Sequence, residues 1–561
     1  MHLWSFRVRT LTLAAAIVST SVSVFAQSGQ TSISSLMSAE AQSQAAQPNG
    51  AVRRLSMDDA VKLALEQNLG IRIQRIDPQV QDVGIALARS FWSPNLTSSL
   101  ARNAQTQQST SALSGSASNI LNGQVTTNLG MSQTLPFGGN YTANWQSNRF
   151  TTTNLFQNFS PQLTSTLNLA FTQPLMRNFS IDQIRQQVQN SVKTRDLSDI
   201  QLRSVITQTV RGVKDAYWDL VYSIDNLKAQ QGSLQLSQQS LKDNQKRVEI
   251  GTLAPLDVVQ SEAEVAANEQ GVIVAAAAIE TAEDNLRTLI LDPGAADFWS
   301  VIFEPSDMPA FRDQTIDVDA AVRAALDKRS DLLSAKNSLE QSDVNIHYFR
   351  NQILPDVNAQ VQYITTAAGG TLLSPVDLNS LDTASRQILG NTGFGSVLGN
   401  VLQGAYPNWT VGVQIGYPLG SSTAKANLAR AKLQYEQAQA QYRSLEMQVA
   451  AQVRSVARSV QTNQKRVQST GASRELQEKK LEAEQKKLAA GLSSTFFVLQ
   501  AQRDLALART TELQAISDYN KSLVDFEAVQ QVPVGGSIGG LTTAGNGSLV
   551  QTGGIVRTGG S

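Results

Sequence analysis

The chain of 561 residues carries 46 basic and 46 acidic side chains, is only 16% charged, and contains no cysteine. Balanced charge excludes a global field that would draw it to nucleic acid. The missing thiols exclude a disulfide framework, a thiolate zinc site and an acylated N-terminal cysteine, so any membrane attachment has to come from folding.

At the start, Arg7 and Arg9 precede an apolar stretch from Leu11 to Val18 and a small-residue exit at Val24-Phe25-Ala26. This pattern predicts a secretory signal peptide over 1–26. Its core is shorter than the ~20 apolar residues a spanning helix needs, and no later stretch is long enough, so the mature chain is expected to leave the cytoplasm without a transmembrane helix. Residues 27–54, rich in Ser, Gln and Ala, predict a flexible segment, and residues 535–561, rich in Gly, Thr and Ser, a disordered tail.

Between these ends the sequence repeats. Residues 55–97 align without gaps on 316–358, with ten identities that include Asp58/Asp319, Ala60/Ala321, Ala64/Ala325, Arg89/Arg350 and Pro94/Pro355. Residues 241–266 align on 481–506 through Leu241/Leu481, Lys246/Lys486 and Gly251/Gly491. Two copies of one unit follow, over 55–291 and 318–534, joined by a connector at 292–317.

Each unit opens with a short helical pair (57–91, 318–351), and Pro94 or Pro355 then ends helix and begins strand. After the strands comes a helix over about 181–249 or 422–490, then a break at Gly251 or Gly491, then a return helix over about 256–290 or 496–531. At 1.5 Å per residue the long helices reach roughly 105 Å, which no compact domain hides. Val205, Val210, Val213, Tyr217, Leu220 and Val221 recur at three- and four-residue steps, a spacing that fits a coiled-coil stalk and a tube of helices alike.

The strand segment 408–417 alternates without exception: Trp409, Val411, Val413, Ile415 and Tyr417 on one face, Thr, Gly and Gln on the other. In the first unit Leu167, Leu169 and Phe171 match Val411, Val413 and Ile415. A soluble sandwich strand alternates in the same way. The signal peptide and the very long helices favour a membrane strand of ~9 to 11 residues, with Trp409 to Tyr417 facing lipid and the small polar face toward water. Two such strands per unit give four per chain, too few for the smallest ~8-stranded membrane barrel, so several chains have to share one.

From about 55 to 531 the sequence resembles the TolC-type outer-membrane efflux proteins. The resemblance rests on the opening Leu55-Ser56-Met57-Asp58-Asp59-Ala60 and its repeat from Ile316, on Pro174 and Pro418 ending strands, and on the turns around Gly251 and Gly491. It implies an α+β membrane protein: a homotrimer with a twelve-stranded β-barrel shared in the outer membrane, continuous with a twelve-helix periplasmic tube and belted near 292–317. It also implies passive export, in a tripartite efflux or type I secretion system, through a periplasmic adaptor and an inner-membrane pump. The adaptor-docking tips fall on Ile250, Gly251, Thr252, Ala490, Gly491 and Leu492.

Members of this family often narrow the pore near the second tip with acidic residues and hold it shut with an arginine. Here Phe497 and Gln500 take the acidic positions and Ser493 the arginine's, while Asp257 in the first unit, near Gln260, keeps a carboxylate. The gate is therefore expected to be an apolar ring of Phe497 with Phe496 that closes by dewetting. Packing of these rings between helices is the competing expectation. The first unit is also 21 residues longer between its proline and its tip glycine. We assign the surplus to an alternating pair of strands over 125–150, turning at Pro136 to Asn140, and read it as an outer-surface hairpin in preference to added barrel strands.

Only His2 and His347 exist, and neither a phosphate-binding glycine loop nor a Gly-x-Ser-x-Gly elbow is present, so no catalytic, cofactor or metal residue is assigned. Glu262, Glu264, Glu482 and Asp504 fall on long helices and read as solvated faces. A soluble periplasmic coiled-coil adaptor would share the signal peptide and the hairpins, but not two hairpins interleaved with alternating strands. A diffusion porin has no use for the helices.

Overall fold

The computed structural model describes residues 52–109, 119–154, 156–294, 298–307, 311, 315–376, 386–420 and 422–534. The expected signal peptide, the expected flexible segment up to residue 51 and the expected tail lie outside the described residues. The first unit runs β1 (Val52–Leu55), α1 (Met57–Gln67), α2 (Leu69–Gln74), α3 (Asp77–Ser90), β2 (Asn95–Gln108), β3 (Asn119–Thr134), β4 (Asn140–Thr152), β5 (Phe159–Pro174), α4 (Gln183–Glu249) and α5 (Pro255–Ile290). After β6 (Ile302–Pro305), the second runs α6 (Val318–Lys328), α7 (Ser330–Gln352), β7 (Asp356–Leu373), β8 (Ile388–Thr392), α8 (Phe394–Leu402), β9 (Pro407–Gly416), α9 (Thr423–Ala489) and α10 (Thr495–Ala528).

One correction comes at once. Residues 52–54 belong to β1, which pairs in parallel with β6, and are not part of a flexible segment. Leu55 at the end of β1 is buried against Val213, Tyr217 and Phe303, which makes up for ordering the strand. The repeat identities now have a physical meaning. Ala60 and Ala64 of α1, and their counterparts Ala321 and Ala325 of α6, are the residues these helices bury. Ser56 and Asp317 cap the two helices, each accepting a hydrogen bond from the backbone N–H three residues on.

The long helices α4 and α9 have 67 residues each, about 100 Å of helix. They stand in one row, separated and flanked by shorter helices. Toward the strands, α3 packs on α4, and α7 packs on both α4 and α9. Toward the tips, α5 packs on α4, and α10 on both α4 and α9. At either level the row is four helices wide. Arg211 on α4, donating to Asp525 at 2.5 Å, and Lys521 on α10, donating to Asp219 at 2.7 Å, clamp α4 to α10.

The strands form one antiparallel sheet in the order β2-β3-β4-β5-β7, with β8 and β9 both on the far edge of β7. The expected hairpin is thereby corrected. β3 and β4 pair from Asn122/Thr152 to Thr134/Asn140 and sit inside the sheet between β2 and β5, so the surplus chain widens the sheet and is not a flap apart from it. The expected four strands per chain become six strand positions. Pairing aligns Leu96, Met131, Ala143, Leu169, Tyr363 and Trp409 in one row across six strands. Residues opposite each other in antiparallel strands share a face, so at this level the apolar face of β9 continues across six strands. Farther along the same face, Arg102, Val125, Arg149 and Leu163 form a row with two arginines. Against the apolar face lies α8, burying Val397 and Val401 on Ala367, with Leu163 and Leu167 around them.

Candidate functional site

Both hairpin tips are built alike. At the first, the Gly251 N–H donates to the Val248 carbonyl and the Thr252 N–H to the Arg247 carbonyl; at the second, Gly491 donates to Leu488 and Leu492 to Lys487. This double bond closes a Schellman cap, which needs a left-handed residue, and Gly251 and Gly491 have φ of +75° and +71°. Ile250 and Leu492 project beside the glycines and are strongly exposed. Thr252 turns its hydroxyl back onto the Arg247 carbonyl, and Ala490 is the C-cap of α9.

Just above the tips, Asp257 and Gln260 lie in the first turns of α5, and Phe496, Phe497 and Gln500 in the first turns of α10. Phe496 and Phe497 are 54% and 56% exposed and meet edge to face at 5.6 Å. Packing within the chain falls instead to Val498, Ala501 and Leu505, which are buried with Leu481. Neither ring is consumed by its own core. Gln500 donates to Asp504 at 2.8 Å, and Lys480 donates to the other oxygen of Asp504, holding its carboxyl below the usual range. Ser493 donates to Glu484, whose carboxyl is also held low, first by Lys487.

The solvated-face reading of Glu264 is wrong. The residue is buried at 6% exposure, and its carboxylate accepts from Arg503 Nε at 2.6 Å, joining α5 of the first unit to α10 of the second. Nearby, Asn244 donates to Ser261 and Gln502 to Ser240, so α4 is tied to both return helices. An ionic link between the two return helices is thus present here, away from Ser493. A periodicity argument could not find it, since a carboxylate and its partner 239 residues away both look like surface positions. Asp504 is likewise paired across helices, whereas Glu482 makes an exposed pair with Lys486 on its own helix.

Farther along, burial and the neighbouring Asp525 push the Asp215 carboxyl up to about 6, against the pull of Arg211 and Lys521. His347 is exposed on α7. Among the described residues, no group of three or more His, Cys, Asp and Glu is placed to hold a metal ion, and no helix is long and apolar enough to cross a membrane.

In the sheet, Trp409, Val411, Val413, Ile415 and Tyr417 are all exposed, with Tyr417 just past the end of β9. The opposite face carries a polar row of Ser99, Asn128, Gln146, Thr166 and Thr366. Asn128 donates to Ser99, and the Thr166 and Thr366 hydroxyls meet at 3.2 Å.

Comparison with known proteins falls in line with this geometry. A sequence profile of the outer membrane efflux protein family matches residues 137–290 and 321–529. Curated protein sequences give no significant match. Among solved structures, the chain is similar to the outer-membrane channel OprN, with a TM-score of 0.58 at 17% identity over 85% of this chain and 89% of that one. It is also similar to the outer membrane protein VceC of Vibrio cholerae, with a TM-score of 0.57 at 16% identity over 84% and 96% of the two chains. For the outer-membrane channel MtrE of Neisseria gonorrhoeae, solved in its open state, the TM-score is 0.55 at 17% identity over 85% and 89%. At these identities the likeness shows a common fold.

Proposed function

The chain belongs to the outer membrane efflux protein family, and from that premise we propose how it serves as an exit duct. It is an outer-membrane channel component of efflux systems, and a soluble adaptor role is not favoured. Three copies share one closed β-barrel, apolar face to lipid and polar face to water, continuous with a periplasmic tube of twelve helices. The exposed tip residues Ile250, Gly251, Thr252, Ala490, Gly491 and Leu492 dock a periplasmic adaptor, and through it an inner-membrane pump. The wall carries out no chemistry, and its Ser, Thr, Asn and Gln leave selection of cargo to the pump.

The observation that carries this reading is the two-faced sheet. A sheet with lipid on one face and water on the other has to close, because an open edge in hydrocarbon leaves backbone amides without partners. Among the described residues, one chain's strands do not close it.

The gate is the pair Phe496 and Phe497, which project from α10 without being buried by their own chain. A ring of such side chains around a narrow tube excludes water and ions without a charged latch. Asp257, Gln260 and Gln500 line the same level. Reconstitution in planar bilayers is the test. Low resting conductance that rises several-fold in Phe497→Ala supports the ring, and an unchanged closed state overturns it.

A further inference from the structure

We infer that each copy contributes six strands to the shared barrel, so that three copies close an eighteen-stranded wall in which the β2 edge of one copy zips onto the β9 edge of the next. This rests on the shared-barrel reading above and departs from the four strands per chain that the family resemblance implies.

The surplus strands are wall. A flap lying over the sheet would bury one of its faces, whereas β3 and β4 keep the pattern of their neighbours. Leu129 and Trp145 stand beside Leu167 on the apolar face, and Asn128 and Gln146 beside Thr166 on the polar one. Outside them, β2 is exposed along all 14 residues and, among the described residues, has β3 as its one partner strand. Leu96 and Leu100 lie on the apolar face, which at β2 also carries Ser98 and Arg102, and Thr97 and Ser99 lie on the polar face. At the other end of the sheet, β9 pairs among the described residues with β7 alone and is exposed along almost its whole length. Counting reversals along the sheet, β2 and β9 run in opposite directions, so pairing between copies would be antiparallel like every other pairing in the sheet.

The helical layer ends on the same two sides. α3 leads into β2 and stands at one end of the row, while α9 follows β9 and stands at the other. Ile73, Ile76, Val80, Val83, Leu87 and Phe91 form a stripe at helical spacing along α2 and α3, all exposed. A neighbour's α9, which presents Leu433, meets that stripe when the β2 and β9 edges meet. The open edge of the sheet and the uncovered helical stripe thus face the same copy.

Width agrees. Four helices about 10 Å apart span an arc of about 40 Å per copy. Six strands about 4.8 Å apart, tilted about 40°, span about 38 Å, whereas four would span about 25 Å. Six strands therefore continue the tube without narrowing, and the barrel is about half again as wide as a twelve-stranded one at the same tilt.

The absence of cysteine makes the test direct. Pairs are introduced on the apolar face, one cysteine at Leu96, Ser98 or Leu100 and the other at Val411, Val413 or Ile415. In a second set the first cysteine is placed at Leu167 or Leu169 of β5 instead. Within one chain β2 and β9 stand at opposite ends of the sheet and β7 separates β5 from β9, so any disulfide formed joins two copies. Oxidised membranes run on non-reducing gels should give dimers and trimers from the β2–β9 set and none from the β5–β9 set. Cross-links from the β5–β9 set would leave the shared barrel standing but place β2 to β4 outside it, overturning the eighteen strands. A transverse density section of twelve strands, four per copy, would also overturn the eighteen. Protein that forms neither cross-link and extracts as single chains would overturn the shared barrel itself.

Discussion

Arg503 on α10 donates its Nε to Glu264 on α5 at 2.6 Å, and the two partners are unequally exposed: the arginine side chain is 55% open to solvent and the glutamate 7%. That inequality gives an asymmetric prediction. Arg503→Gln leaves a carboxylate in a largely buried position without its cation and should destabilise the tip region by about 1–3 kcal/mol. Glu264→Gln leaves only a half-exposed guanidinium to water and should cost less than about 1 kcal/mol. Hydrogen exchange across 257–268 and 496–507 checks this. Equal protection in the two variants would show that the pair carries no such asymmetry.

Asp215 predicts a pH effect of definite sign. Burial holds its folded pKa at about 6, above the ordinary 3.8, so between these values the folded chain keeps a proton the unfolded chain has lost. Stability contributed at this site is then present at low pH and is lost as pH rises toward 6, by at most about 3 kcal/mol. Asp215→Asn should remove the titration. Thermal unfolding at about pH 7.5 should move up in the variant by roughly 1–2 kcal/mol of stability, while the two proteins converge near pH 4. A variant less stable than the parent at pH 7.5 would mean that attraction to Arg211 outweighs burial.

At the tips, nothing lies within 4 Å of a methyl group added to Gly251 or Gly491, so the cost of replacing either is purely backbone. Gly491→Ala should loosen the second cap by roughly 1–2 kcal/mol, because an L side chain is strained at positive φ. Gly491→Asn, more tolerant of that region, should recover part of it. Exchange of the Gly491 and Leu492 amides reports the result, while melting of the whole chain should stay unchanged. Indistinguishable exchange in all three proteins would refute the Schellman account of the turn.

Neighbouring positions on β9 separate the two faces of the sheet. Val413 lies on the apolar face and Gln414 on the polar one, next to Gln360 with which it shares a hydrogen bond. Val413→Lys should cost about 2–4 kcal/mol at mid-membrane and reduce the folded oligomer recovered from outer membranes, whereas Gln414→Lys should be tolerated. The reverse order would put lipid on the other face.

Much of this was legible because periodic signals are local. The long helices, their glycine breaks and the alternation of β9 each follow from residues within one element, and the repeat identities marked the alanines that let α1 and α6 pack closely. What stayed hidden depends on neighbours distant in sequence. β2 has only Leu96 and Leu100 as large apolar residues, too thin a pattern to announce a wall strand by itself. β3 and β4 read correctly as a pair, but only their partners on either side show that they belong in the sheet. β1 became visible through β6, and Glu264 through Arg503.

The mass and conductance of the detergent-extracted protein test the shared duct most directly. Three chains per particle, dissociated by heat and forming one water-filled conductance in a bilayer, is the predicted result. A folded single chain that stays in solution after the detergent is removed would contradict it.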